Sequence, residues 1–272
     1  MLKTRVLTAL VIALATLAVL FLTPAWGFRA ALAALLLTGS WEFRRLAALP
    51  AAAGWTLLIL QALVIGVLAL YWPTIKADAV IWLAAGALSW LLMYSRLLGF
   101  RADHPPDNRY RRLGFLSALA AVTFCWVALG WLRDQPDGPF VILLLLLIIA
   151  AADVGAYFSG RLLGRHKLAP AISPGKTWEG VLGGVCLAVA VTFLLRTLLP
   201  GLQMHAAALV ALSLATILAS VGGDLFISVL KRRVGLKDTG RVFPGHGGVL
   251  DRYDSLLAGA PFFALLFATI SR

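Results

Sequence analysis

The chain alternates long apolar stretches with short polar joints. A stretch of about 20 apolar residues can cross a ~30 Å hydrocarbon core as a helix. Nine stretches have that length: roughly 5–23, 29–48, 53–72, 79–98, 113–132, 139–159, 177–199, 205–229 and 251–271. The expected architecture is therefore an all-α polytopic membrane protein with about nine transmembrane helices. The first stretch follows Lys3 and Arg5, as the core of a secretory signal would. It is long for such a core, and Thr23-Pro24-Ala25-Trp26 is a poor cleavage site, so it reads as a span. Trp26, Trp41, Tyr71 and Trp72, near span ends, read as interfacial anchors.

Composition supports the membrane reading. Hydrophobic residues make up 61% of the 272 and charged residues only 13%, against roughly a quarter in soluble domains. The net charge of +12 could point to nucleic acid, but its distribution argues otherwise. With nine spans and a cytoplasmic N-terminus, 19 of the 24 basic residues fall on the inner side, leaving Arg29, Lys76, Arg133, Arg196 and Arg272 outside. Positive charge gathers on the cytoplasmic side of membrane proteins, which puts the N-terminus in the cytoplasm and the C-terminus outside. Anionic lipid headgroups are then the default partner of the basic loops, and no nucleic acid is expected. The loop 96–113 reads as a topology determinant that touches lipid phosphates, with His104 a solvated loop histidine. Cys125 and Cys186 lie singly in apolar segments and read as packing residues.

Near residue 135 the chain changes character. Residues 1–135 read as scaffold and lipid-facing helices. Residues 136–272 read as a catalytic region with cytoplasmic loops at 160–176 and 231–250. Asp153, Asp224 and Asp251 fall within or at the mouths of apolar segments, where a carboxylate is costly unless it is paired, hydrated or bound to a cation. Gly180 with Gly184, and Gly222-Gly223, could allow close helix contact; beside Asp224, the second pair could instead loosen the helix towards a polar cavity.

Between the last two spans runs SVLKRRVGLKDTGRVFPGHGGVLDRYDS, residues 228–255. Lys231, Arg232, Arg233, Lys237 and Arg241 could grip a polyphosphate or merely fix topology. The turn Pro244-Gly245-His246-Gly247-Gly248 allows close backbone approach, so its N–H groups could form an anion nest. Asp251, Arg252 and Asp254 follow in the first turn of a helix, with the two acids on one face. Oxygen ligands beside phosphate-binding cations point to Mg²⁺, held by Asp224 and Asp251 from neighbouring helices. The segment APAISPGKTWEGVLGG, 169–184, contains GKT, but Pro170 stands where a P-loop needs its first glycine, which excludes a Walker motif. Ser173, Lys176 and Thr177 could donate to phosphate near a helix N-terminus; Thr177 and Glu179 could equally cap the helix.

The pattern S-x-x-K-R-x-x-x-x-K-D-x-x-x-x-x-P-G-H-G-G-x-x-D-R-x-D, Ser228 to Asp254, resembles the signature of the phosphatidate cytidylyltransferases, or CDP-diacylglycerol synthases. The S-P-x-K-T-x-E-G element at 173–180 and the upstream Asp153 extend the likeness over most of the second half. One departure is Gly175, where the family commonly has a second lysine. The resemblance implies an enzyme of phospholipid biosynthesis in the bacterial inner membrane, with its active site facing the cytoplasm. It would convert CTP and phosphatidic acid to CDP-diacylglycerol and pyrophosphate with Mg²⁺, as a homodimer. Under it Asp224 and Asp251 hold the metal, with Asp153 or Asp254 assisting. Lys231, Arg232 and Lys237 hold the triphosphate or the leaving pyrophosphate, with Gly247 and Gly248 offering backbone N–H groups. Ser173, Lys176, Thr177 and Glu179 are expected at the substrates across the cleft, and Ser228, Asp238 and Arg252 follow from the signature. His246 either binds phosphate, donates a proton or is structural. The alternatives are a CTP-dependent lipid or polyprenol kinase and, in a different class, a transporter using intramembrane aspartates. A CDP-alcohol phosphotransferase would need D-G-x-x-A-R, which is absent.

Overall fold

A computed structural model describes residues 2–95, 97, 105–198, 204–240, 242–243 and 247–270, with side chains from residue 6 onward. Arg241, His246 and His104 lie outside the described residues. In chain order the helices are α1 (Leu2–Leu22), α2 (Ala25–Leu46), α3 (Ala51–Leu70), α4 (Trp72–Ala77), α5 (Ala79–Tyr94), α6 (Asn108–Arg133) and α7 (Gly138–Leu163). A hairpin of β1 (Lys167–Ala169) and β2 (Ser173–Thr177) precedes α8 (Trp178–Leu198), α9 (Ala206–Arg233) and α10 (Leu250–Ile270). Local chemistry sets several starts. Pro24 and Pro50 stand extended just before α2 and α3, where a missing N–H is harmless. Asp107 accepts the Tyr110 N–H at 2.7 Å and caps α6.

Among the described residues, six helices are long and apolar enough to cross a membrane: α3, α6, α7, α8, α9 and α10. The chain is a multi-pass membrane protein. The expected spans 5–23, 29–48 and 79–98 also correspond to helices, but these do not qualify in the same way. The described apolar part of α1 is Val6–Leu22 and α5 has 16 residues, while α2 carries Arg29, Glu42, Arg44 and Arg45. The expected span 53–72 breaks at Tyr71, where Pro73 starts the short α4. The hairpin also departs from the all-α expectation, since 160–176 read as a plain loop.

Enclosed large side chains mark the centre: Trp90, Trp126, Phe43, Phe226 and Phe263 are all at most 1% exposed. Around them the outer faces keep large apolar residues exposed, among them Leu63, Leu92, Leu182 and Leu218, as a hydrocarbon surround requires. At 1.5 Å per residue, the 28 residues of α9 extend about 42 Å. That exceeds a ~30 Å core, so the end bearing Lys231, Arg232 and Arg233 can project beyond it. At the opposite end of the bundle, Asp134 accepts from Arg29 and from the Trp72 indole, both at 2.8 Å, fastening α6 to α2 and α4.

Candidate functional site

The site gathers where α7 and α9 end and α8 and α10 begin. α7 and α8 run nearly in backbone contact. A Cβ on Gly155 would stand 2.5 Å from the Gly183 carbonyl, and one on Gly184 would stand 2.6 Å from the Ala152 carbonyl. Only glycine permits that approach. It places Asp153, two residues before Gly155, against the start of α8. Thr177 accepts the Gly180 N–H at 3.1 Å and caps α8. Glu179 accepts the His166 backbone N–H at 3.2 Å and lies 2.6 Å from His166 Nδ1. Thr177 thus has the capping role weighed as one alternative, whereas Glu179 ties the start of the hairpin to α8, which was not expected.

Between these elements lies a chamber of about 210 Å³ whose polar lining includes Asp153, Lys176, Thr177, Ser220 and Ser255. Lys176, at the end of β2, pairs with Asp224 of α9 at 2.5 Å. Ser228, one turn further along α9, donates to the other Asp224 oxygen at 3.3 Å. The charge on Asp224 is felt by Asp153 and by Asp254, so three acids share one electrostatic neighbourhood. Lys176 and Arg252 offset the charge at Asp153, and Lys176 and Lys231 do so at Asp254. Asp254 is 9% exposed and takes the Ser255 N–H at 2.8 Å. Ser220 is buried and its hydroxyl has no hydrogen-bond partner among the described residues, which leaves a donor at the chamber wall.

Asp251 belongs to a second group. One of its oxygens accepts from Lys231 at 2.9 Å. The other accepts the N–H of Thr239 at 2.7 Å and of Gly248 at 2.9 Å, and lies 3.0 Å from the Thr239 hydroxyl. Gly247 adopts φ +83° and its carbonyl accepts the Phe243 N–H at 2.9 Å, which closes the loop onto the start of α10. Arg232 donates to the Ile172 carbonyl at 3.3 Å, tying α9 to the hairpin. Lys237, Asp238 and Arg252 are exposed, and Ser173 and Gly175 sit on the hairpin's second strand.

Asp224 and Asp251, expected to share a metal, are each matched with their own lysine, and it is on Asp153 and Asp254 that the charge of Asp224 acts. Among the described residues no three His, Cys, Asp or Glu side chains cluster closely enough to hold an ion by themselves. A hard cation that needs one or two carboxylates and keeps water and phosphate as its other ligands fits the oxygen-rich donor set. Asp251 fits such an ion only after giving up Lys231. Gly222-Gly223 does not loosen α9, which is continuous from Ala206 to Arg233. Gly222 instead receives the Tyr94 ring and Gly223 the α10 backbone at Asp254.

Sequence reasoning missed Glu42, Thr239 and Ser220. Glu42 is 4% exposed and accepts from Thr239, Val249 and Leu250. The available signal was that Glu42 is the only acid in the span 29–48. Thr239 and Ser220 gave no signal, because a threonine in a loop and a serine in a helix are commonplace.

The model of the "Cytidylyltransferase family" matches residues 3–270. The chain belongs to this family. A phosphatidate cytidylyltransferase of Pseudomonas aeruginosa is 37% identical over 98% of the chain and 97% of its own length. One of Haemophilus influenzae is 46% identical over half of the chain, which spans 48% of that relative. A third, of Staphylococcus epidermidis, is 37% identical over 57% of the chain and 61% of the relative. The acid and lysine groups described above thus stand in a cytidylyltransferase-family chain.

Proposed function

We propose that the chain transfers the cytidylyl group of CTP to phosphatidic acid. A phosphate oxygen of the lipid attacks the α-phosphorus of CTP, the bond from that phosphorus to the α,β-bridging oxygen breaks, and pyrophosphate leaves. The observation that carries this reading is the pairing of Lys176 with Asp224 and of Lys231 with Asp251 at one end of the bundle. In each pair an anion-binding cation already neutralises an acid, so an incoming phosphate can take the lysine and release the carboxylate. Two anions that repel each other must meet here, and fixed positive groups lower that barrier without reorganising.

In this reading Lys231, Arg232 and Lys237 with the backbone of Gly247 receive the triphosphate, while the Gly248 N–H, expected there too, is already taken by Asp251. Lys176, Ser173 and the free Ser220 hydroxyl receive the lipid phosphate in the chamber. Ser228 orients Asp224, and Arg252 with Asp153 and Asp254 sets the charge balance between the two substrates. Mg²⁺ would be held by Asp224 and, once Lys231 moves to phosphate, by Asp251; it would supply charge neutralisation at the phosphates. His246 is proposed to assist at the triphosphate.

The tails need an apolar route. A groove of about 550 Å³ between α5, α8 and α9 shares Val181 and Val221 with the chamber. A groove of about 330 Å³ beside α1 is also apolar, but none of its lining residues belongs to the chamber. We place an acyl chain in the first. The proposal further includes nine membrane crossings, with α1, α2 and α5 completing the six, a cytoplasmic N-terminus, and a bacterial inner membrane with the site on the cytoplasmic face. The division into a scaffold of residues 1–135 and a catalytic region of 136–272, and assembly as a homodimer, belong to the same proposal.

Purified protein given phosphatidic acid, Mg²⁺ and CTP labelled at the α or γ phosphate tests the chemistry. Transfer of the α label to lipid with release of pyrophosphate is expected. Transfer of the γ label would replace this reading with a lipid kinase.

A further inference from the structure

The loop that holds Asp251 is fastened from the half of the chain that carries none of its signature residues. Glu42, near the end of α2, directs one oxygen at the N–H of Val249 and the other at the N–H of Leu250, both at 2.9 Å. These residues open α10, so a side chain 207 positions away satisfies N–H groups that a helix leaves unpaired at its first turn. The Glu42 charge also faces the positive end of the helix dipole. Its second oxygen accepts the Thr239 hydroxyl at 2.7 Å. The Thr239 N–H, 2.7 Å from Asp251, continues the chain from Glu42 to Asp251. Arg45, on the same helix, reaches the Thr239 carbonyl at 3.5 Å. A Cβ on Gly240 or on Gly248 would collide with the Glu42 carboxylate, so these two glycines make the space that Glu42 fills.

We propose that Glu42 is a positioning residue for the transfer reaction. It holds Thr239, Gly248 and the start of α10 so that Asp251 keeps both its oxygens directed, and it does not itself touch substrate. This rests on the cytidylyl-transfer reading above. A cap that merely stabilised α10 would affect folding, whereas a positioning residue affects turnover in molecules that remain folded. Glu42→Gln preserves size but turns one acceptor oxygen into an NH₂ group, which must face an N–H or O–H donor whichever way the amide is oriented.

The test compares wild type, Glu42→Gln, Glu42→Asp, Thr239→Val and the Glu42→Gln/Thr239→Val double variant in detergent. It measures kcat, KM for CTP and for phosphatidic acid, and the thermal midpoint. Glu42→Gln is expected to lower kcat by roughly 10–100-fold, with each KM within about threefold and the protein folded at the assay temperature. Glu42→Asp, which keeps the charge, should recover part of the loss. The double variant should be no slower than about the slower single variant, because both changes break one linked chain. Wild-type kcat in folded Glu42→Gln, a loss matching the unfolded fraction alone, or full additivity in the double variant would each overturn the proposal. Should Glu42→Gln fail to fold, Thr239→Val decides by itself: wild-type kcat in that folded variant overturns it. Wild type without cytidylyl transfer would instead sink the functional reading, so the two failures are distinguishable.

Discussion

Gly247 and Gly248 are adjacent glycines required for different reasons. Gly247 has φ +83°, a conformation that costs an L-residue about 1–2 kcal/mol. Gly248 has no such backbone demand; a Cβ there would run into the Thr239 hydroxyl and both Glu42 oxygens. Gly248→Ala must therefore push Glu42 aside, and a kcat loss of roughly tenfold or more is expected in steady-state assays. At Asp224 the expectation is sharper. Asp224→Asn removes the carboxylate paired with Lys176 and should lower turnover by about 100-fold or more, while helical circular dichroism stays unchanged. Near-normal turnover would remove Asp224 from the reaction. The acids of this site were legible because charge within or at the mouths of apolar stretches is rare, and the lysines because they stand in basic loops beside them. Their partners were not: Asp224 with Lys176 depends on how the hairpin sits against α9, and Asp251 with Lys231 on how far α9 and α10 are offset, neither of which spacing along the chain encodes.

At the scale of elements, the seam between α7 and α8 sets where Asp153 and Lys176 stand. Gly155 and Gly184 each lie where a Cβ would enter the facing backbone. Gly184→Val should separate the helices and cost about 1–3 kcal/mol, read as a lower thermal midpoint with loss of activity. An unchanged midpoint would show that the seam yields without strain. The helices themselves were legible from their length and hydrophobicity. The hairpin was not, since strands of three and five residues carry too little alternation to stand out. For Gly222-Gly223 the sequence leaves both close packing and a loosening of α9 open, because glycine serves either, and the Tyr94 ring and the α10 backbone decide for close packing. The groove shared with the chamber gives a further expectation. Val181→Trp narrows the passage, so transfer to long-chain phosphatidic acid should fall by roughly tenfold while transfer to a short-chain, water-dispersed analogue is preserved. Equal loss on both would place the tails elsewhere.

At the scale of the whole molecule, basic residues on one side carry the topology. Lys237 is exposed in the loop between α9 and α10, and the proposed orientation puts it in the cytoplasm. A Lys237→Cys variant lacking Cys125 and Cys186 should react with a membrane-impermeant maleimide in inside-out vesicles and not in intact spheroplasts. Labelling in spheroplasts would reverse the orientation. The number of crossings was less legible than the helices, because α2 combines a span's length with four charges whose use lies inside the protein or at its edges. Glu42 is one of those charges, and it reaches across to the second half of the chain. A fragment expressed from residue 136 onward would keep every signature letter yet lose the anchor that fastens its loop. Grafting that fragment onto a foreign membrane scaffold should likewise yield an inserted but inactive protein, unless the graft also brings the last two turns of α2.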